Sequence, residues 1–179
     1  AAVAAYLTCK NGYQCALMAP TEILANQHYE SLKSMFDELG ISCELLTGST
    51  SAKDKRATLG RLKSGECSFI IGTHALIQDG VEFNKLALAI TDEQHRFGVR
   101  QRSTLAEKGE NVHTLVMTAT PIPRTLALLM YGDLEVSIIN ELPPGREPVD
   151  TFLVGESYRP RINAFIRKQV AAGNQCFVV

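Results

Sequence analysis

The chain has 179 residues, 45% apolar and 21% charged, which suits one compact unit with a substantial core and excludes disorder by composition. Eighteen basic against nineteen acidic residues leave a net charge of -1, a balance that neither announces nor excludes nucleic acid, because a local basic patch can bind phosphates on a neutral protein. Five scattered cysteines with no C-x-x-C pair argue against a disulfide framework or a zinc site and for a reducing, cytosolic compartment, and no apolar run approaches the roughly 18 residues that span a bilayer.

In chain order, Ala1 to Leu7 lacks a charged leader and a cleavage pattern and reads as part of a helix rather than as a signal peptide. Strand patterns follow at Gln14 to Met18, Ser42 to Leu46, Ser68 to Gly72, Leu86 to Thr91, Thr114 to Thr118 and Leu134 to Ile139. Helical patterns alternate with them. The stretch from Thr21 to Leu39 sets Leu24, His28, Leu32, Met35 and Leu39 near one face, with Thr21 placed to cap the helix and Gly40 to stop it. From Ala52 to Ser64 the chain carries Lys53, Lys55, Arg56, Arg61 and Lys63 with few apolar positions, a solvated helix whose basic side suits phosphates. Further helices are predicted from about Gly98 to Lys108 and from Pro123, a residue fitted to a first helical turn, to Tyr131. Strands and helices alternating over short connections predict an α/β fold with a parallel sheet.

Composition shifts at Glu141-Leu142-Pro143-Pro144-Gly145-Arg146-Glu147-Pro148, a semi-rigid connector. Beyond it the pattern restarts with a strand near Thr151 to Val154, a helix from about Pro160 to Ala172 and an apolar run at Cys176 to Val179. The reading therefore divides the chain into residues 1–140, a linker at 141–149 and the beginning of a second unit at 150–179. Residues after Pro148 are expected to be less well fixed than the sheet, since a lone strand and helix have little to pack against.

The chemistry is concentrated at strand ends. Leu86-Ala87-Leu88-Ala89-Ile90 is apolar without interruption, as in a parallel strand buried on both faces, and ends in Thr91-Asp92-Glu93-Gln94-His95. An acidic pair at the carboxyl edge of such a sheet lies where ligands bind, and an Asp there is the usual holder of Mg²⁺ in nucleoside triphosphatases. The plain alternative is a pair of solvated loop carboxylates. Met117-Thr118-Ala119-Thr120-Pro121 is a second apolar strand running into hydroxyl residues, which would bring Thr118 and Thr120 to the same edge unless they merely cap the next helix.

Three blocks, Ala19-Pro20-Thr21-Glu22-Ile23-Leu24-Ala25, Asp92-Glu93-Gln94-His95-Arg96-Phe97-Gly98 and Thr118-Ala119-Thr120-Pro121-Ile122-Pro123-Arg124-Thr125, resemble motifs Ia, II and III of superfamily 2 helicases. More narrowly, Gln94 and the run Asn140-Glu141-Leu142-Pro143-Pro144-Gly145-Arg146 after Asp133-Leu134 resemble the bacterial RecG family, the ATP-dependent translocases that act on stalled replication forks and Holliday junctions in DNA repair and recombination. The resemblance implies a RecA-like sheet flanked by helices, the first motor lobe of a P-loop NTPase, followed by the start of a second RecA-like lobe. It implies ATP and Mg²⁺ as cofactors, with Asp92 holding the metal through water and Glu93 orienting and deprotonating the attacking water. His95 is implied to link that site to Thr118 or Thr120. DNA contacts are implied at Pro20, Thr21 and Glu22, at Thr47, Gly48 and Ser49, and at Gly72, Thr73 and His74. Physically, small and glycine-bearing turns at helix starts offer backbone N–H groups to phosphates without reading bases, although ordinary tight turns have the same composition. Arg96, Arg100, Arg102 and Arg124 add local positive charge or are solvated surface arginines.

The chain also departs from the family pattern. It contains no phosphate loop of the form G-x-x-x-x-G-K-[ST]; Ala1 to Cys9 resembles the helix that would follow one, so the loop is expected just before Ala1. The family's wedge domain and the remainder of the second lobe are expected partners in a parent chain, together with branched DNA. The expectation is a bacterial, cytoplasmic, monomeric helicase, with this piece inactive alone. Two other readings remain: a transcription-repair coupling translocase, and a non-catalytic nucleotide- or DNA-binding module.

Overall fold

The computed structural model describes residues 1–92, 104–119, 135–141, 145–146 and 149–179. The chain forms two compact units, residues 1–130 and 131–179. In the first, the described elements are α1 (Ala2–Lys10), β1 (Gln14–Met18), α2 (Glu22–Glu38), β2 (Cys43–Leu46), α3 (Ala52–Ser64), β3 (Phe69–Gly72), a 3₁₀ turn (His74–Ile77), β4 (Leu86–Thr91) and β5 (His113–Val116). The five strands make one all-parallel sheet in the order β2-β3-β1-β4-β5. The predicted α/β architecture is thus present, with each of these strands within two residues of its expected bounds.

The three central strands, β3, β1 and β4, are the apolar runs, and they are buried on both faces as parallel strands covered by helices must be. Alternation sends Cys15, Leu17, Phe69, Ile71, Leu88 and Ile90 into a core shared with α1 and α2, and Ala16, Met18 and Ile70 into a second core shared with Leu62 of α3 and Leu105. Leu86 lies in the second core with Ala89, three residues away. The register shift between Gln14 and Cys15 against β4 explains this: one extra residue in β4 restores Leu86 to the face that strict alternation would deny it.

Gln14 holds the amino ends of the sheet together. It is 3% exposed, its amide nitrogen donates to the carbonyls of Leu62 (2.8 Å) and Cys67 (2.7 Å), and its Oε1 accepts from the backbone N–H groups of Asn84 (2.7 Å) and Lys85 (2.9 Å). Every hydrogen-bonding site of this amide is therefore used, which is what makes its burial affordable.

Helix α2 starts where Thr21 accepts a hydrogen bond from the Leu24 N–H, and stops where Gly40 takes φ +70° and the Ile41 N–H returns to the Phe36 carbonyl. Its buried face differs from the expected one in its last turns. Met35 and Leu39 are exposed at 41% and 38%, whereas Phe36 is buried and stacks on Phe69 with ring centroids 4.8 Å apart. One aromatic pair reaching across to β3 outweighs two aliphatic positions that a rotation of about 100° would have buried.

The second unit has a different character. Its described regular structure is a 3₁₀ turn, Glu156–Tyr158, running into α4 (Arg159–Ala171) with Pro160 in the first turn, close to the predicted helix. No residue of α4 is buried. The strands expected at Leu134 to Ile139, Thr151 to Val154 and Cys176 to Val179 are not formed where those residues are described. A strand exists only as one side of a hydrogen-bonded pair, and none of these stretches has a paired neighbour among the described residues. Helices predicted from Pro123 to Tyr131 and over most of Gly98 to Lys108 lie outside the described residues, apart from a helical turn at 104–106.

Candidate functional site at the carboxyl rim

Because all five strands are parallel, their carboxyl ends share one rim, and the predicted site residues follow them in order. Thr47, Gly48 and Ser49 leave β2; Gly72, Thr73 and His74 end and leave β3; Pro20, Thr21 and Glu22 leave β1; Asp92 leaves β4 and Thr118 follows β5. The ladder continues past the strands themselves: the Ala19 N–H donates to the Gly72 carbonyl (2.8 Å), Asp92 N–H to Met18 (3.0 Å) and Met117 N–H to Thr91 (2.9 Å). From β1 the chain turns towards β3 and β2; from β4 it turns the other way, to β5. The crevice between β1 and β4 is therefore the switch point at which open α/β sheets bind ligands.

On the β2-β3-β1 side, Glu22 and the loop after β2 are joined. Its Oε1 accepts from the Ser49 N–H (3.0 Å) and its Oε2 from the Ser49 hydroxyl (2.8 Å), while Thr47 Oγ1 lies 3.0 Å from Ser49 Oγ. A Cβ on Gly48 would meet Glu22 Oε1 at 2.9 Å, so the close approach of the carboxylate depends on glycine there. Thr47 and Thr73 are buried, and the Thr73 hydroxyl is directed to the Ala75 N–H (3.5 Å) as the cap of the 3₁₀ turn. Gly72 is buried against Leu46, whose carbonyl oxygen would stand 2.2 Å from an added Cβ. The groups of this side that face solvent are Gly48, Ser49 and His74, with Pro20, Thr21 and Glu22 half-buried. The predicted contacts thus divide into an exposed set and a set that shapes the loops beneath it.

On the β1-β4 side, Asp92 is held by a residue that sequence reasoning placed only on an apolar helix face. His28 Nε2 lies 2.7 Å from Asp92 Oδ2, with the two side chains 29% and 19% exposed. A carboxylate can only accept, so the imidazole donates. The register Thr91↔Val116 brings Thr118 to the neighbouring strand end. Glu93, His95 and Thr120, and likewise Arg96, Arg100, Arg102 and Arg124, lie outside the described residues. Among the described residues no three His, Cys, Asp or Glu side chains gather as a metal cage. Asp92 itself offers carboxylate oxygen, the donor chemistry that suits a hard cation such as Mg²⁺.

All five cysteines are free; burial pushes the Cys9 thiol up to about 11 and Cys43 to about 12, so both stay protonated and inert at neutral pH. No described helix is long and apolar enough to cross a membrane.

Residues 1–129 match the family model of the DEAD/DEAH box helicases. The chain belongs to the DEAD/DEAH box helicase family. Within this helicase family it is 53% identical over 170 residues to the ATP-dependent DNA helicase RecG of Synechocystis sp., covering 95% of this chain and 20% of that protein. It is 50% identical over 179 residues to the RecG of Bacillus subtilis, covering 100% of this chain and 26% of the relative. A solved structure of RecG bound to a three-way DNA junction superposes with a TM-score of 0.81 at 44% identity, over 96% of this chain and 23% of that one. The chain therefore spans about a quarter of the length of these helicase relatives.

The sequence carried a signal for His28 that went unread: one polar ring between Leu24 and Leu32, four residues to either side, on a face otherwise directed at the sheet. A polar group in such a place needs a partner, and among the described residues the strand-end aspartate meets it.

Proposed function

We propose that this chain is motor machinery of an ATP-dependent DNA helicase acting on branched DNA, as the RecG relatives are named and as the junction-bound structure suggests by its partner. The observation that carries the reading is the division of the rim: exposed Gly48 and Ser49 after β2 and exposed His74 after β3 on one side, Asp92 in the crevice between β1 and β4 on the other, with helix α2 reaching both the β2 loop through Glu22 and Asp92 through His28. In this reading Asp92 holds the magnesium of Mg·ATP through water, and the ion, when bound, supplies positive charge to the phosphate oxygens. Glu93 orients the attacking water and takes its proton. Thr118 and Thr120 are the proposed nucleotide-binding hydroxyls, with His95 linking them to the acidic pair. Gly48 and His74 touch phosphates without reading bases, while Ser49, whose N–H and hydroxyl are both given to Glu22, shapes the loop that presents them. Pro20, Thr21, Glu22, Thr47, Gly72 and Thr73 hold those groups in place.

The sequence has no phosphate loop, so the 179 residues alone are proposed to leave ATP unhydrolysed, and the activity belongs to a longer bacterial, cytoplasmic and monomeric protein whose remaining parts complete the two-lobed motor. Residues 131–179 are proposed as the connector and the beginning of the second lobe. The test uses the full-length protein with a labelled three-way junction and Mg·ATP. ATP-dependent strand separation, abolished by Glu93→Gln with ATP binding retained, is the expected result. Hydrolysis that survives Glu93→Gln refutes the catalytic role, and an absence of DNA-stimulated hydrolysis in the unaltered protein refutes the motor.

A further inference from the structure

We infer that His28 is a positioning residue for the metal-binding aspartate, fixing the Asp92 carboxylate by the Nε2–H to Oδ2 hydrogen bond so that the metal and its water meet it in one orientation. The inference rests on the proposed role of Asp92 and deepens it.

Three observations carry it. The contact is short, 2.7 Å, and joins residues 64 positions apart, so it is made by the tertiary fold rather than by local chain geometry. The two side chains are only 29% and 19% exposed, and a hydrogen bond to a charged group shielded this far is stronger than one at an open surface. Finally, α2 cannot easily carry the ring away. Leu24 and Leu32, one turn to either side of His28, pack against the core, Thr21 caps the first turn, and the Glu22 carboxylate is bound by two donors of Ser49. The Lys10 ammonium, 2.9 Å from the Leu39 carbonyl, secures the other end. An imidazole on a helix anchored this way presents its donor to Asp92 with little freedom left to lose.

The consequence is chemical. An exposed aspartate samples several rotamers, and each metal-binding event must select one. A carboxylate with Oδ2 already engaged is preorganised, in the way that outer partners of metal ligands orient them and tune the site.

The test uses the full-length protein with two substitutions: His28→Leu, which keeps bulk and removes the donor, and His28→Gln, whose amide can donate from a similar reach. Two readouts are taken. One is Mn²⁺ affinity in the presence of a non-hydrolysable ATP analogue, followed by electron paramagnetic resonance; the other is the Mg²⁺ concentration for half-maximal DNA-stimulated hydrolysis. His28→Leu is expected to weaken both by about 10–100-fold, the usual effect of losing an outer partner of a metal ligand, while His28→Gln recovers most of the loss. Thermal unfolding of both variants accompanies them, and a loss that follows the melting temperature rather than the donor marks a packing role and overturns the inference. So does His28→Leu with unaltered Mn²⁺ affinity, or His28→Gln as impaired as His28→Leu. Unaltered protein that binds Mn²⁺ with the nucleotide but hydrolyses nothing refutes the motor reading instead, and the Mn²⁺ series still decides on His28.

Discussion

The sheet-bearing segment, residues 1–92, and the carboxyl-terminal segment, residues 149–179, are both rich in apolar residues at regular spacing, yet only the first buries them. Phe69, Ile70, Ile71 and Ile90 have no exposed surface, whereas Phe165, Phe152 and Phe177 are exposed by 60%, 79% and 87%. Periodicity states which face of an element is apolar; burial needs a second element to cover it, and among the described residues α4 has none. Stability should therefore reside in the first segment and vary little with substitutions in the second.

The sharpest way to break that comparison is to truncate one aromatic residue in each segment. Phe69→Ala removes a buried ring stacked on Phe36 and should cost about 3–5 kcal/mol, whereas Phe165→Ala should change the unfolding free energy by no more than about 0.5 kcal/mol. Denaturant melts of the 179-residue chain read both; equal losses would mean that α4 is covered after all. Next in size is Gln14→Leu. It strips partners from two carbonyls and two N–H groups at the amino ends of the strands, and should cost about 2–4 kcal/mol although leucine fits the volume. A neutral result would show that this amide is not the tie that its four bonds imply.

The smallest effect concerns the β2 edge. Burial pushes the Glu44 carboxyl up, but hydrogen bonds from Arg61 and Thr58 outweigh it and leave the group below its ordinary range. A depressed carboxylate stabilises the fold fully above its unfolded value, near 4.5, and the contribution is lost as pH falls through the lower folded value. Arg61 is 46% exposed, so solvent screening holds the amount to about 1 kcal/mol. Glu44→Gln should show that deficit at pH 7, with the gap to the unaltered chain closing as pH falls through the lowered range of the folded Glu44 carboxyl. A gap independent of pH would point to packing rather than charge.

How much was legible follows from the same contrast. The central strands could be read because Leu86 to Ile90 and Phe69 to Ile71 are apolar at consecutive positions, a pattern that only two-sided burial explains. The rim could be read because each such run ends in a polar group, and parallel strands bring like ends together. What could not be read was pairing at a distance. Nothing near Gln14 says that its amide meets Leu62, Cys67, Asn84 and Lys85, and nothing near His28 names Asp92, 64 residues on. The choice of Phe36 over Met35 was settled by Phe69 on another element. Nor does anything near Glu22 say that its carboxylate accepts from the N–H and hydroxyl of Ser49, 27 residues on.

The claim on which the rest depends is that Asp92, in the crevice between β1 and β4, serves the chemistry of Mg·ATP. Asp92→Asn in the full-length protein tests it most directly, because the substitution keeps the shape and an oxygen for His28 but removes the charge. DNA-stimulated phosphate release should fall by about 100-fold or more, the scale set by several kcal/mol of metal-borne charge stabilisation, with the melting temperature of the protein little changed. Phosphate release at the unaltered rate, from a protein that still folds, would contradict the account.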